Sequence, residues 1–268
     1  MAKIERLDGK VVWITGTSSG LGKSLATECA NRGAQIILMA RRFEELEKVR
    51  LSLKNPEQHL SVAADITDEA QVRHAYEQVL QAKGRIDWLI NNAGLSLRAL
   101  IHETSMDTER AIMEVDYFSQ VFLTKTVLPT FLKQKSGRIA FISSVAGLLG
   151  TQYRASYSAA KGAIHLWANS LRAEVADQGV DVSVIFPGFV KTNVSLNALN
   201  GEGKPRGIQD EAIENGLDAE EFAKITVDAL LKGDEYIVVG GAKEKLGVLV
   251  SRISPKFLYK MIRKTKVK

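Results

Sequence analysis

The sequence predicts an α/β fold, a single doubly wound domain in which a seven-stranded parallel sheet carries helices on both faces. From residue 10 onward, short apolar segments rich in β-branched residues alternate with longer segments of helical period, as in such sheets. A glycine-rich string follows the first apolar segment, where these folds bind nucleotides. The chain has 268 residues, 45% of them hydrophobic, which suits one domain with a large core.

Seven strands and six helices of the domain follow from these patterns. The strands are predicted at residues 11–15, 36–40, 60–64, 86–90, 138–143, 180–186 and 236–239. The helices are predicted at residues 20–32, 42–54, 67–83, 106–134, 155–178 and 218–232. Thr67 and Asp68 are typical of a helix start. Three glycines follow predicted helices, as the left-handed residue at many helix ends does: Gly33, Gly84 and Gly179.

The basic charge is confined to the C-terminal segment. The net charge is +5, and residues 243–268 contain nine Lys or Arg and one Glu, so the first 242 residues carry a net −3. Because the body lacks basic residues interleaved with aromatic residues, no nucleic-acid partner is expected. The single cysteine, Cys29, excludes an internal disulfide, and the four histidines lack metal-ligand spacing. We therefore expect a cytoplasmic protein without a metal ion.

Residues 243–268 predict two short amphipathic basic helices, interrupted at Pro255. One interpretation is peripheral contact with an anionic membrane surface. The other is an extension that packs on a subunit partner and ends in a solvated basic tip. Glu5 and Asp8 interrupt the N-terminal residues, and no run of 18 apolar residues occurs, so neither a signal peptide nor a spanning helix is expected.

The string TGTSSGLG at residues 15–22 carries the nucleotide prediction. It follows the first strand and begins the first helix, where glycines allow a tight turn and a close approach of the backbone to a ligand. The free N–H groups and the dipole of the helix start favour a phosphate. We expect a dinucleotide to contact Gly16, Ser18, Ser19, Gly20 and Leu21.

Further motifs lie just after predicted strands, at the edge of the sheet where ligands bind. They are Asp65, NNAG at 91–94, SS at 143–144, YSAAK at 157–161, and PG at 187–188 with Thr192. With the TGxxxGxG pattern they resemble the short-chain dehydrogenase/reductase family, in its single-domain carbonyl reductase branch. The strings MEVDYF and SLNALNGEGK are most similar to the member 7B group of that family. The resemblance covers about residues 8–240 and implies a Rossmann fold, a nicotinamide dinucleotide and a homo-oligomer.

The resemblance assigns a role to each of these positions. Ser144 holds the reacting oxygen of the substrate, Tyr157 donates and accepts the proton, and Lys161 assists Tyr157 and holds the nicotinamide ribose. The other positions border the cofactor: Asp65 at the adenine, Asn92, Ala93 and Gly94 along its length, Pro187 and Gly188 at the nicotinamide, and Thr192 at the carboxamide.

The pair Tyr157 and Lys161 suits acid-base chemistry for a physical reason as well. Residues four apart lie on one face of a helix, so the ammonium lies beside the phenol. A free phenol is a poor acid at neutral pH, and a neighbouring cation stabilises its phenolate form. Tyr157 can then donate a proton to a carbonyl oxygen, or accept one from a hydroxyl, as hydride is transferred at the carbon.

Asp116 departs from the family pattern. The string EVDYF places it where the family has an asparagine, whose backbone carbonyl supports a water that leads to the lysine. We include Asp116 as a candidate catalytic residue. The alternative is a residue that bends the helix or forms a structural ion pair.

The end of the second predicted strand indicates the choice of cofactor. Ala40 stands where NAD enzymes carry an acidic residue for the ribose, and Arg41 and Arg42 follow it. Two guanidinium groups without a carboxylate suit the 2′-phosphate of NADP(H). The alternative is a pair of solvated arginines at a helix start.

These features predict an NADP(H)-dependent oxidoreductase that interconverts a carbonyl and a secondary alcohol, on a small lipophilic substrate. The dehydrogenase domain is expected at residues 1–242 and the basic extension at 243–268. Within the domain, residues 193–216 form a long irregular segment, interpreted as a mobile substrate lid, with disorder as the alternative. The alternative function is a nucleotide-binding regulatory or scaffold protein without catalytic activity.

Overall fold

The structure is a computed structural model that describes residues 6–264, and its sheet is the one that the sequence predicts. Seven parallel strands pair in the order β3-β2-β1-β4-β5-β6-β7. The order reverses between β1 and β4, so the loops after these two strands diverge and leave a crevice at the carboxyl edge of the sheet. The strands are β1 Val11–Thr15, β2 Gln35–Ala40, β3 Leu60–Ala63, β4 Trp88–Asn91, β5 Gly137–Ile142, β6 Val180–Pro187 and β7 Tyr236–Val239.

Within residues 6–264, ten α-helices cover the faces and one end of this sheet. They are α1 Gly20–Asn31, α2 Phe43–Ser52, α3 Glu69–Lys83, α4 Met106–Met113, α5 Ser119–Gln134, α6 Ala155–Val175, α7 Glu211–Glu214, α8 Ala219–Lys232, α9 Ala242–Ile253 and α10 Pro255–Lys264. All six helices predicted for the domain are present, and their ends lie within about three residues of the predicted ones.

The sheet separates two apolar cores because alternate side chains of a strand point to opposite faces. Trp13 of β1 packs with Phe141 of β5 in one core, whereas Val12 and Ile14 pack in the other. All five residues of β1 are buried. Burial on both faces explains why the strands appear in the sequence as nearly continuous apolar runs.

Helix boundaries follow the prediction, with one exception. Asp68 caps α3 by accepting hydrogen bonds from two N–H groups of its first turn, each at 3.0 Å, and α3 ends at Gly84 with φ +71°. The exception is the helix predicted over 106–134, which the structure divides. A π-helical turn, Glu114–Phe118, joins α4 to α5. Apolar periodicity did not reveal this local widening of the helix.

Residues 193–216 lie against the loop that follows β4. The amide of Leu199 donates a hydrogen bond to the carbonyl of Ser96 at 2.8 Å, and the amide of Arg98 donates to the carbonyl of Leu199 at 2.9 Å. The segment therefore covers part of the carboxyl edge of the sheet. Its opening as a lid stays a prediction.

The helices α9 and α10 confirm the two amphipathic helices predicted for the basic extension. Val248 of α9 is buried in one of the two cores, so α9 packs on the domain of its own chain. Other apolar side chains of the extension are more than half exposed: Leu246, Leu249, Ile253, Phe257 and Tyr259. No helix within the described residues has both the length and the apolar character needed to cross a membrane.

Candidate active site

Loops that follow β1, β4, β5 and β6 meet at the carboxyl edge of the sheet, around the crevice between β1 and β4. The turn after β1 and the loop after β6 approach each other there, since a Cβ placed on Gly20 would lie 3.6 Å from Cγ2 of Thr192. Most of the residues predicted for catalysis and cofactor binding lie on these four loops or at the start of α6.

The turn after β1 has the shape of a phosphate site. Gly16 and Gly20 adopt φ values of +71° and +55°, which residues with a side chain rarely adopt. A Cβ on Gly16 would lie 3.0 Å from the Cα of Ala93, so this turn packs directly on the loop after β4. Ser19 precedes α1, but its side chain caps none of the helix amides, which leaves them to a ligand. The residues present therefore fit the pyrophosphate of a dinucleotide.

Asn92 fixes the loop after β4 to the end of β1. Its side-chain Nδ2 donates a hydrogen bond to the carbonyl of Thr15 at 2.8 Å. The amides of Asn92 and Ala93 both donate to Oγ1 of Thr15, each at 2.9 Å. The NNAG motif thus sets the width of the crevice between β1 and β4.

Tyr157 and Lys161 lie one turn apart on α6, as their spacing predicts. The Nζ of Lys161 is 5.8 Å from the centroid of the Tyr157 ring. The Lys161 side chain is only 4% exposed, and its Nζ donates a hydrogen bond to the carbonyl of Ile142 at 3.1 Å. The ammonium is therefore held in place beside a phenol that remains partly accessible.

The two serines after β5 differ in their surroundings. Ser144 is partly exposed, and its Oγ accepts a hydrogen bond from the amide of Ala146 at 3.1 Å, so the hydroxyl proton can still be donated. Ser143 is buried and donates its hydroxyl to the carbonyl of Lys161 at 2.8 Å. Ser144 is thus the serine that a substrate can reach, whereas Ser143 joins the loop to α6.

Asp116 enters the site through the π-helical turn. Its carboxylate is fully buried, with Oδ2 3.4 Å from Nζ of Lys161 and Oδ1 accepting a hydrogen bond from the amide of Leu95 at 2.6 Å. Burial raises the pKa of the Asp116 carboxyl, and the charge of Lys161 only partly offsets this. A Cβ on Gly94 would lie about 3 Å from both Asp116 Oδ1 and Lys161 Nζ, so a larger residue there would crowd both groups. The structure therefore pairs the Asp116 side chain with Lys161.

The other predicted cofactor residues lie along the same edge of the sheet. Arg41 and Arg42 follow β2 and are exposed. Asp65 follows β3, where its Oδ1 accepts hydrogen bonds from the amide and hydroxyl of Thr67 at 3.0 and 2.8 Å. Pro187 ends β6. Gly188 lies against Glu244 of α9, since a Cβ placed on Gly188 would lie 2.9 Å from Cγ of Glu244.

The family described as short chain dehydrogenase matches this chain over residues 10–202, which include the glycine-rich turn, Ser144, Tyr157 and Lys161. The chain belongs to the short-chain dehydrogenase family. This result confirms the resemblance inferred from the motifs and makes the chain an oxidoreductase of a family that uses nicotinamide dinucleotides.

Relatives of this short-chain dehydrogenase match over almost its whole length. A "Dehydrogenase/reductase SDR family protein 7-like" of Drosophila melanogaster is 38% identical over 98% of this chain and 82% of its own length. A "Dehydrogenase/reductase SDR family member 7B" of Xenopus laevis is 35% identical over 96% of this chain and 81% of its own. A solved short-chain dehydrogenase of Streptomyces avermitilis has a TM-score of 0.82 and 29% identity, covering 97% of this chain and 99% of that chain.

Sequence reasoning missed a cluster of arginines around Asp210 of this short-chain dehydrogenase. Oδ2 of Asp210 accepts a hydrogen bond from Nε of Arg98 at 2.7 Å, and Oδ1 accepts one from Nη1 of Arg206 at 2.7 Å. Arg154 lies 3.6 Å from Oδ2. The cluster joins the loop after β4 and the start of α6 to the segment 193–216. Its one local signal was the spacing of Arg154, three residues before Tyr157.

Proposed function

We propose that this short-chain dehydrogenase reduces a carbonyl group of a lipophilic small molecule, or oxidises the matching secondary alcohol, with NADP(H) as cofactor. The proposal rests on the buried Lys161 ammonium, which lies 5.8 Å from the ring of Tyr157. This pair lies at the carboxyl edge of the sheet, next to the crevice that fits a dinucleotide. A protein that only bound a nucleotide would not need a phenol near a buried cation.

Three residues of the chain have separate roles in the proposed reaction. Bound NADP(H) supplies or accepts the hydride. Tyr157 donates its hydroxyl proton to the substrate oxygen during reduction and takes a proton back during oxidation. Ser144 donates a hydrogen bond to the same oxygen and so orients it. Lys161 keeps a positive charge close to Tyr157 while the proton is transferred.

Asp116 acts in this proposal as a positioning residue. Its carboxylate, 3.4 Å from Nζ, helps to hold Lys161 on the side of Tyr157, together with the carbonyl of Ile142. The hydrogen bond from Leu95 fixes the carboxylate in turn. Asp116 touches neither the substrate oxygen nor Tyr157 in this mechanism, and it acts through Lys161.

The choice of NADP(H) over NAD(H) depends on Arg41 and Arg42. Replacing both with alanine is expected to weaken NADPH binding about 10- to 100-fold, because charge-assisted hydrogen bonds to the 2′-phosphate are lost. NADH lacks this phosphate, so its affinity should change little. Fluorescence titration of both cofactors measures the effect. Lys48→Ala, which removes an exposed cation of the nearby α2, is the control, and an equal loss for NADPH and NADH would contradict the assignment.

A nucleotide-binding protein without catalytic activity is the alternative that must be tested. The purified protein is mixed with NADPH and a panel of aromatic and lipid ketones, and the absorbance of NADPH is followed. We expect consumption of NADPH that depends on both protein and ketone. Tight NADPH binding without turnover on any member of the panel would favour a regulatory or scaffold role instead.

We propose further that the basic extension makes peripheral contact with anionic membranes. Apolar side chains such as Ile253 and Phe257 are 74% and 54% exposed, and the exposed cations Lys256 and Lys260 lie beside them. An interfacial helix combines these two features, since the apolar side enters the lipid and the cations approach the head groups. This location would also bring a lipophilic substrate to the enzyme.

Co-sedimentation with vesicles tests the membrane contact. The protein should sediment with phosphatidylcholine vesicles that contain phosphatidylserine, and binding should fall about 30-fold in Lys256→Gln/Lys260→Gln, since each cation near the surface contributes about 1 kcal/mol. Ile253→Ser/Phe257→Ser should also weaken binding. Leu51→Ser is the control, because Leu51 is 63% exposed on α2, outside the extension. Equal sedimentation of all variants would exclude the contact.

A further inference from the structure

The cluster around Asp210 holds more positive charge than its carboxylate neutralises. Asp210 is 1% exposed, and its two oxygens are already engaged by Arg98 and Arg206, each at 2.7 Å. The third guanidinium, that of Arg154, lies 3.6 Å away. Three guanidinium groups around one carboxylate leave a formal excess of two positive charges. An excess of this kind in a mostly buried place calls for an anion.

Arg154 is the arginine of the cluster that has the fewest hydrogen-bond partners. Its side chain is 7% exposed, and within residues 6–264 it shows only the 3.6 Å contact with Asp210 and an approach to an aromatic ring. Arg98, in the same cluster, donates additional hydrogen bonds to Ser96 and Leu97 at 2.7 Å. Burial, and then the charge of Arg98, lower the pKa of Arg154 to about 10. A guanidinium that is mostly buried and makes no short hydrogen bond within the described residues is available to a ligand that supplies acceptors.

Arg154 borders the place where the substrate must bind. It is the N-cap residue that immediately precedes α6, three residues before Tyr157. Its guanidinium carbon is 5.6 Å from the ring centroid of Phe189, in the loop after β6. Asp210 belongs to the segment that covers this edge of the sheet. The unfilled donors thus lie between α6, the loop after β6 and the covering segment.

We propose that Arg154 binds the carboxylate of an oxo acid that serves as substrate, and of the hydroxy acid formed from it. The inference rests on the proposed function. In the reduction, NADPH gives a hydride to the carbonyl carbon, Tyr157 gives a proton to the carbonyl oxygen, a proton from solvent restores Tyr157, and the carboxylate is unchanged. A carboxylate suits a single guanidinium because its two oxygens accept two parallel N–H donors.

Matched acids and esters test this site by their kinetics. The substrates are 4-, 5- and 6-oxodecanoate and their methyl esters, each measured with NADPH. We expect at least one acid to exceed its ester in kcat/KM by about 30-fold, which is the effect of a charge-assisted hydrogen-bonded pair. Arg154→Gln should bring this ratio close to one, mainly through KM. Arg154→Lys should give an intermediate ratio, because it keeps the charge and loses the paired donors.

Stability provides a readout that separates binding from a structural role. If Arg154 served only to hold the fold together, Arg154→Gln would lower the melting temperature of the free protein. If Arg154 serves to bind a ligand, Arg154→Gln should leave the melting temperature unchanged or raise it, because the substitution removes an uncompensated buried charge. Arg73→Gln is the control, since Arg73 is 62% exposed on α3. A clear loss of stability in Arg154→Gln alone would overturn the inference.

Binding without turnover keeps this inference distinct from the proposed function. Decanoate has the carboxylate but no carbonyl, and its binding to the NADP⁺-loaded protein is measured by calorimetry. Binding to the wild type that Arg154→Gln abolishes supports the site, even if no ketone is reduced. If each ester is reduced with the same kcat/KM as its acid and decanoate does not bind, the carboxylate site is wrong. The proposed role of Tyr157 is unaffected by that result.

Discussion

Changing Tyr157 to phenylalanine is expected to lower kcat/KM for carbonyl reduction about 10³-fold, the usual size of a lost general acid. The ring stays in place, so its contact with Lys161, 5.8 Å from the centroid, and the packing of α6 are retained. Only the hydroxyl that we propose as the proton donor is removed. Initial rates of NADPH oxidation measure the loss, and the dissociation constant for NADPH should stay within about threefold.

The control for this change is Tyr76→Phe. The hydroxyl of Tyr76 lies 2.7 Å from Oγ1 of Thr130, between α3 and α5, away from the site. Its removal takes away the same atom and one hydrogen bond, so activity should change less than about twofold, with a loss of about 1 kcal/mol of stability. If Tyr157→Phe kept a tenth or more of the wild-type activity, Tyr157 would not be the proton donor and the proposed mechanism would be wrong.

Changing Asp210 to asparagine is expected to lower the free energy of unfolding by about 3–5 kcal/mol, because it removes the partner of a buried ion pair. The three arginines around this position would then have no negative charge to pair with, in a place where Asp210 is 1% exposed. Urea denaturation at pH 7 measures the loss. Asp181→Asn is the matched control: Asp181 pairs with Arg138 at 2.6 Å but is 66% exposed, so its loss should cost less than about 1 kcal/mol. Equal losses for the two variants would contradict the prediction.

The difference in stability between the wild type and Asp210→Asn should depend on pH. Burial alone would raise the pKa of Asp210, but the hydrogen bonds and charges of Arg98, Arg206 and Arg154 lower it below the ordinary value for aspartate. A lowered pKa means that the carboxylate stabilises the native state above about pH 4, where it is ionised in both states. This contribution is lost as the pH falls through the lowered pKa. The gap between wild type and Asp210→Asn should therefore narrow in acid, whereas a gap that widened would contradict the assignment.

Much of the fold was predictable because its signals are local. Parallel strands buried on both faces appear as short apolar runs, as in β1, and caps such as Asp68 mark where helices begin. The glycine-rich turn and the spacing of Tyr157 and Lys161 are local too. They were sufficient to predict the Rossmann fold, the family and the one pair of side chains on which the mechanism depends.

The parts that sequence could not predict depend on contacts between distant segments. Arg98 and Asp210 are 112 residues apart and meet only because the segment 193–216 folds back on the loop after β4. The π-helical turn at Glu114–Phe118 adds one residue to a turn without a distinct pattern in the sequence. That turn carries the Asp116 side chain to Lys161, whereas the family pattern pointed to a backbone carbonyl at this position.

The contact between Gly188 and Glu244 means that the C-terminal extension is not a separable appendage. A side chain on Gly188 would lie 2.9 Å from Cγ of Glu244, so α9 rests on the loop expected to hold the nicotinamide. Shortened versions of the protein should therefore keep α9, and α10 as well, because Leu258 of α10 is also buried. A version cut before Ala242 would lose Glu244 and leave this face of Gly188 uncovered.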